Sequence, residues 1–110
     1  FTLIELLIVI AIIGILASIV LVSLSGARVK AQKAAFKSEV TGAVAKMVLD
    51  CDSGTLAAQT STTNVTWGTL SASSCGATGD GTFATSATSA AVGTCTAAVS
   101  EAGPVFTGCD

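Results

Sequence analysis

Two kinds of side chain in this sequence could take part in chemistry: a single carboxylate near its start and a set of cysteines in its second half. Glu5 is the only charged side chain between Phe1 and Val22, in a stretch made mostly of Ile, Leu, Val and Ala. A charged acid in a segment suited to lipid costs about 2 to 3 kcal/mol on insertion scales unless a partner neutralises it. We therefore expect Glu5 to have a cationic partner.

The four cysteines all follow residue 50: Cys51, Cys75, Cys95 and Cys109. An even number of cysteines in so small a unit favours two disulfides. Since disulfides persist in oxidising surroundings, this half of the chain is expected to lie outside the reducing interior of a cell.

The sequence contains no recognisable catalytic or metal-binding arrangement of residues. It contains no His, and its acids are scattered rather than set at the close spacing of a calcium loop. We therefore expect no enzyme activity, no metal or other cofactor, and no small-molecule substrate. From Cys51 onwards the chain carries four acids and no Lys or Arg, so this part is not suited to binding nucleic acid.

The apolar stretch around Glu5 predicts a helix that can cross a membrane. As a helix, residues 1–22 would span about 33 Å, which is roughly the thickness of a bilayer core. A secretory signal peptide is the alternative interpretation. No basic region precedes the stretch, however, and its helical pattern continues without a small-residue cleavage site. We therefore assign residues 1–24 to a transmembrane segment.

The helical pattern then becomes amphipathic over residues 25–53, and Gly54 is expected to end it. Apolar residues recur there at spacings of about three, four and seven. They are Val29, Phe36, Val40, Val44, Met47 and Val48. Such a stripe needs a partner surface, supplied by neighbouring chains or by the chain's own second half. The sequence therefore predicts one helix of about 50 residues, continuous from the membrane segment.

The remaining residues, 54–110, are predicted to form a small antiparallel sheet, which gives the chain an α+β fold. Short β-prone runs lie at residues 65–70, 82–85, 94–100 and 105–107. A turn at residues 101–104 makes the last two runs a hairpin, and a five-residue loop there would set Cys95 opposite Cys109. Of the three possible connectivities we prefer that pair together with Cys51 and Cys75, which would tie the helix end to the following loop.

The charges around the apolar segment make two conflicting predictions of topology. All five cations follow the segment: Arg28, Lys30, Lys33, Lys37 and Lys46. The positive-inside tendency alone would keep the second half in the cytoplasm, whereas the cysteines place it outside. The first residue is Phe rather than Met, so we expect that the chain is trimmed or that a leader has been removed. A leader with its own Lys or Arg would orient the second half outward.

The first 17 residues, FTLIELLIVIAIIGILA, closely resemble the mature N-terminus of type IV pilins and pseudopilins. The resemblance is strong over residues 1 to about 30 and extends further only in layout. It implies that a prepilin peptidase cuts before Phe1 and methylates its amine. It also implies that subunits wait in the inner membrane and are then polymerised by a pilus assembly machinery into a helical, extracellular filament.

For Glu5, the resemblance implies a contact with the amine of Phe1 in a neighbouring subunit. Opposite charges attract strongly in a low-dielectric bundle, which supports such a pair. A structural alternative is a capping box, in which Thr2 and Glu5 satisfy the first free amides of the helix. Both roles can hold at different stages, and the lipid setting favours the assembly role.

Gly14 is a predicted weak point, because glycine lowers helix stability by up to about 1 kcal/mol relative to alanine. In many members of the resembled family a proline near the position of Val22 combines with this glycine to let the helix unwind in the fibre. Val22 replaces that proline here. Ser18, Ser23, Ser25 and Gly26 still weaken the helix, so we predict partial loosening between Gly14 and Gly26.

Several other residues each have a structural and a functional interpretation. Lys30, Lys33 and Lys37 share roughly one helix face, which is either simply solvated or in contact with lipid headgroups, DNA or neighbouring subunits. Asn64 begins a glycosylation sequon, and the Thr- and Ser-rich surface could accept O-linked sugars. Trp67 is expected to be core rather than a binding platform.

These features predict the major structural subunit of a type IV pilus, a homopolymer that serves adhesion, twitching motility or DNA uptake. A pseudopilin of a type II secretion or competence system is the alternative within the resembled family, since it shares the N-terminal signature. A monomeric single-pass membrane protein with a small binding domain is the alternative from another class. The amphipathic stripe argues against a monomer, because it needs a partner surface.

Overall fold

The computed structural model describes residues 1–76 and 79–110, and it has the predicted order of one long helix followed by a small antiparallel sheet. The helix, α1, runs over Leu3–Asp52, and no proline interrupts it. The strands are β1 Val65–Trp67, β2 Ala72–Ser74, β3 Thr82–Ser89, β4 Thr96–Ser100 and β5 Gly103–Thr107. The chain divides into two compact units, named here the apolar unit (Phe1–Ala31) and the sheet unit (Gln32–Asp110).

In the apolar unit the helix exposes all of its side chains. Large apolar residues such as Leu7, Ile13 and Leu21 are more than half exposed, and the segment is long and apolar enough to cross a membrane. A helix that is apolar on every side is stable in lipid or among other helices rather than in water. By length and composition, α1 therefore qualifies as a transmembrane helix.

In the sheet unit the helix ends where the sequence predicts, at Gly54. This glycine has a φ of 110°, a conformation that costs other residues free energy. Its N–H donates to the carbonyl of Cys51 at 3.2 Å, and the N–H of Thr55 donates to the carbonyl of Asp50 at 3.2 Å. These two bonds form the Schellman pattern that satisfies free carbonyls at a helix end.

The sheet has the strand order β1-β3-β4-β5, and β2 also pairs with β3. All of these pairings are antiparallel. The longest strand, β3, organises the sheet because β1, β2 and β4 all pair with it. Side chains alternate between its two faces, so that Phe83, Ala87 and Ser89 are buried while Thr82 and Ser86 are exposed.

The core of the sheet unit lies between one face of α1 and the inner face of the sheet. The helix contributes residues at spacings of three and four, as its amphipathic pattern predicts. These buried helix residues are Phe36, Val40, Val44, Met47 and Cys51, and the sheet contributes Val65, Phe83, Ala87, Ala97 and Val99. Phe36 is fully buried, and its ring meets that of Phe106 edge-on at a centroid distance of 5.9 Å. From Phe36 onwards the predicted stripe therefore finds its partner surface within the chain, whereas Val29 at its start is exposed.

Three details of the sheet differ from the sequence prediction. The predicted five-residue loop is wrong, because Ser100 pairs with Gly103 and leaves only Glu101 and Ala102 in the turn. Gly103 has a φ of 117°, which lets the chain turn so tightly. Strand β2 was not predicted at all. Trp67, at the end of strand β1, is only partly buried and packs against the margin of the core rather than within it.

The two disulfides join the preferred pairs, Cys51 with Cys75 and Cys95 with Cys109. The first links the helix end to the segment after β2, with Cα atoms 4.7 Å apart. The second does not join directly opposed positions: the last pair of the β4–β5 register is Thr96 with Thr107, and one step beyond it Cys95 would face Gly108 rather than Cys109. Gly108 has a φ of 72° and lies so close to the carbonyl oxygen of Thr94 that a Cβ atom would collide with it. This turn brings Cys109 to its partner.

Candidate assembly site at the start of the helix

The first turn of α1 is a capping box built by Thr2 and Glu5. The Thr2 N–H donates to Oε2 of Glu5 at 3.0 Å, and the Glu5 N–H donates to Oγ1 of Thr2 at 3.3 Å. Both residues are exposed. The pair satisfies two amides that a helix start otherwise leaves free, and the carboxylate lies at the positive end of the helix dipole. The capping role considered from the sequence is therefore present in the isolated chain.

The capping box leaves part of the Glu5 carboxylate available to another molecule. Oε2 accepts the Thr2 amide, whereas no hydrogen bond involves Oε1 within the described ranges 1–76 and 79–110. The same part of the chain contains one ion pair, Lys46 with Asp50, so the amine of Phe1 does not pair with Glu5 of its own chain. Phe1 is fully exposed. The start of the helix therefore carries the Phe1 amine, which has no ion-pair partner in the described residues, beside a Glu5 carboxylate with one oxygen that accepts no hydrogen bond there.

The helix beyond this site carries few polar groups, and one of them is satisfied internally. The hydroxyl of Ser18 donates to the carbonyl oxygen of Gly14 at 2.9 Å. Unpaired polar groups are costly in lipid or in a packed helix bundle, so this bond makes the surface compatible with both. A Cβ atom at Gly14 would have no neighbour within 4 Å in the isolated chain, so close packing there requires a second molecule.

The predicted loosening between Gly14 and Gly26 concerns the assembled fibre. In the isolated chain α1 is unbroken over this stretch. The hydroxyl of Ser25 donates to the carbonyl oxygen of Val22 at 3.2 Å, a local bond of the kind that competes with regular helix geometry. The helix weak point at Gly14 therefore stays a prediction.

The other predicted surface residues lie in local contacts of the sheet unit. The side-chain amide of Asn64 donates to Oε2 of Glu39 at 3.1 Å, and the hydroxyl of Thr62 donates to Oε1. This contact of Glu39, which ties the loop before β1 to the helix, was not predicted from the sequence. Its only signal is an acid on the polar side of an amphipathic helix. An N-linked sugar would replace one of the two amide hydrogens of Asn64, so this contact does not decide whether the sequon is used, and glycosylation stays a prediction.

Two of the three clustered lysines also have partners within the sheet unit. Lys33 Nζ donates to the main-chain oxygen of Asp110 at 2.8 Å. Lys37 Nζ lies 5.9 Å from the centre of the Phe106 ring, a distance compatible with a cation–π contact. Lys33 and Lys37 therefore help to hold the final strand and the segment after it against the helix.

Comparison with known protein families identifies the prokaryotic N-terminal methylation motif over residues 1–21. This motif is the signature of type IV pilins and pseudopilins, and it includes both Phe1 and the capping box. No curated protein and no solved structure matches the chain. The motif and the apolar helix support a type IV pilin-like or pseudopilin protein, anchored in a membrane before assembly and processed by a prepilin peptidase.

Proposed function

We propose that this chain is the major structural subunit of a type IV pilus. Its apolar helices bundle into the core of a helical filament, and its sheet units cover the outside. The work of such a subunit is mechanical, in adhesion, twitching motility or DNA uptake, and it requires no enzyme activity. The subunit would reside in the inner membrane until an assembly machinery extracts it into the extracellular filament.

The observation that carries this proposal is the combination, at one helix start, of an exposed amine and a carboxylate with one unused oxygen. Within the described residues, neither the Phe1 amine nor the Glu5 carboxylate forms an ion pair. In a bundle of identical chains, the amine of one helix start can neutralise the acid of the next. An isolated chain has no neighbouring amine to neutralise its Glu5, whereas a homopolymer supplies one to every subunit.

The apolar surface of the helix supports the same conclusion. Leu3, Ile10 and Leu21 are each at least 60% exposed, and the surrounding residues are similarly exposed. Lipid tails are as apolar as these side chains, so transfer from bilayer to bundle changes little hydrophobic free energy. Packing and the neutralised charge must then favour the bundle. This balance suits a subunit that is stored in a membrane and later extracted.

The sheet unit supports a long-lived exposed fibre rather than a short pseudopilus. Its two disulfides staple both the helix end and the final strand. The outer side of the sheet carries small neutral residues, including Ser86, Thr88, Thr96 and Ala98. A domain stapled by two disulfides resists unfolding outside the cell. The pseudopilin alternative shares the helix and the motif.

Electron microscopy of material sheared from cells tests the proposal. Fibres that contain this chain, identified by mass spectrometry, are the expected result, and their loss on deletion of the gene is the control. Long surface fibres favour a pilin, whereas fibres confined to the envelope favour a pseudopilin. Complete retention of the chain as detergent-soluble monomers in membranes, under conditions in which the cells display pili, would refute both.

A further inference from the structure

Four acids lie on the segments around the end of α1, a region named here the acidic end: Asp50, Asp52, Asp80 and Glu101. Asp52 is in the last turn of α1, and its Oδ1 lies 4.0 Å from the point where a Cβ atom of Gly81 would be. Asp80 precedes that glycine, and its N–H donates to Oγ of Ser74 at 3.2 Å. These contacts bring Asp80 next to the helix end.

Glu101 reaches the same region from the turn between β4 and β5. Its Oε2 accepts the N–H of Phe83 at 3.2 Å, and Phe83 is two residues after Gly81. The Cys51–Cys75 disulfide holds the helix against this part of the sheet, and the N–H of Gly76 donates to the carbonyl oxygen of Cys51 at 2.9 Å. The fold therefore gathers acids that are up to 51 positions apart in the sequence (101 minus 50).

The acidic end has an excess of negative charge. Among the residues that the structure describes, the one ion pair is that of Lys46 Nζ with Asp50 Oδ2, at 2.6 Å. Asp52, Asp80 and Glu101 are exposed, and this end therefore retains three negative charges after Lys46 is counted against Asp50. Like charges in one region of a surface raise the free energy of the folded chain unless counter-charges approach.

The apolar unit carries exposed side chains of the opposite charge. Arg28 and Lys30 are exposed, and neither forms an ion pair or a side-chain hydrogen bond in the described part of the chain. They differ in this from Lys33, Lys37 and Lys46, which all have partners. Two unpartnered cations on one unit and three unneutralised acids on the other form a complementary set.

We propose that the acidic end of one copy of this chain docks against Arg28 and Lys30 of another copy. The partner is a second copy because a polymer supplies both surfaces in equal number and repeats the contact at every subunit. The inference rests on the proposed function, since it requires chains to lie side by side in a filament. It adds a second, electrostatic contact to the one between Glu5 and the Phe1 amine, and it would favour one alignment of neighbouring chains over others.

Charge reversal with rescue tests this contact in cells that display fibres of the wild-type chain. The basic reversal is Arg28→Glu with Lys30→Glu, and the acidic reversal is Asp52→Lys with Asp80→Lys. Each reversal alone should lower the amount of sheared fibre by about tenfold or more, because exposed ion pairs contribute a factor of roughly 1.5 to 5 each and here become repulsive. Combining the two reversals should restore fibres.

Two controls accompany the reversals. Ala91→Lys with Thr107→Lys places two cations at exposed positions away from the acidic end and should leave fibre yield unchanged. The membrane-bound amount of each variant and its disulfides, measured on non-reducing gels, show that the chain inserts and folds. The milder pair Asp52→Asn with Asp80→Asn, which removes charge without reversing it, should lower the yield less than the lysines do.

Each other outcome contradicts the proposal in a recognisable way. Unchanged fibre yield in both reversals overturns the contact and leaves the pilin function intact. Loss in the basic reversal alone, without rescue, indicates that Arg28 and Lys30 contact anionic lipid headgroups instead, and it overturns the proposal. Loss in the acidic reversal alone, or in both reversals without rescue, also overturns the proposal. Absence of fibres from the wild-type chain overturns the proposed function itself.

Discussion

Replacing Glu5 with glutamine separates the two roles that its side chain can perform. A capping box accepts Gln as well as Glu at this position, so the bond from the Thr2 N–H, 3.0 Å in the structure, should persist in Glu5→Gln. The substitution removes only the charge. We expect the variant to insert in the membrane and to keep its helix, while failing to polymerise.

The size of the effect follows from the charge pair that a bundle would contain. Two unit charges about 4 Å apart attract by roughly 4 kcal/mol at an effective dielectric constant near 20. A neutral amide in place of the carboxylate could recover about 1 kcal/mol through a hydrogen bond. The net loss of about 3 kcal/mol lowers each association constant by roughly a hundredfold or more. Fibres counted in sheared fractions should therefore fall to background, with normal amounts of mature chain in the membrane.

The complementary variant, Thr2→Ala, retains the charge and removes the cap. The Glu5 N–H then loses its 3.3 Å bond to the Thr2 hydroxyl, at a cost of about 1 kcal/mol. We expect this variant to assemble with a moderately reduced yield, and Thr2→Ser to assemble normally. Normal fibres from Glu5→Gln, together with their loss in Thr2→Ala, would refute the charge mechanism and leave capping as the function of the pair.

Further predictions concern the stability of the sheet unit, measured by thermal or guanidinium unfolding of the full chain in detergent. Gly108→Ala should destabilise the fold by about 2 kcal/mol or more, because the positive φ of residue 108 is strained for alanine and the added Cβ atom would collide with the backbone of Thr94. The matched control, Gly42→Ala, has open space on an exposed helix face and should stabilise it by up to about 1 kcal/mol. Phe36→Ala should cost about 3 to 5 kcal/mol, since the side chain is fully buried. Replacing both Cys51 and Cys75 with alanine should cost about 2 to 4 kcal/mol, and an unchanged midpoint would show that this bridge is dispensable.

The long helix and its core face could be predicted because their signals are local. Apolar residues at helical spacing place Phe36, Val40 and Met47 on one side, and the structure buries all three. Gly54 ends the helix because it can adopt a positive φ, which is a property of the residue itself. The capping box is likewise local, since its two members are three residues apart.

The sheet was less predictable because its details depend on pairing between distant residues. Strand β2 has the sequence Ala-Ser-Ser, which has weak β propensity, and it forms because β3 offers it a partner. The tight turn after β4 depends on Gly103, whose φ of 117° the sequence does not reveal. Glu101 is similar: its bond to the Phe83 N–H joins residues 18 positions apart. The acidic end could be recognised only after the fold had placed these residues.

The geometry at the helix start also shows how capping and assembly can coexist. An ionised carboxylate has about four acceptor positions on its two oxygens, and the cap uses one of them, on Oε2. Oε1 accepts no hydrogen bond among the described contacts, so a neighbouring amine can bind there without breaking the cap. An N-methylated amine keeps its positive charge and two N–H donors, so processing at Phe1 would preserve the partner that this oxygen requires. In the proposed filament the cap would therefore orient the carboxylate for the assembly contact rather than compete with it.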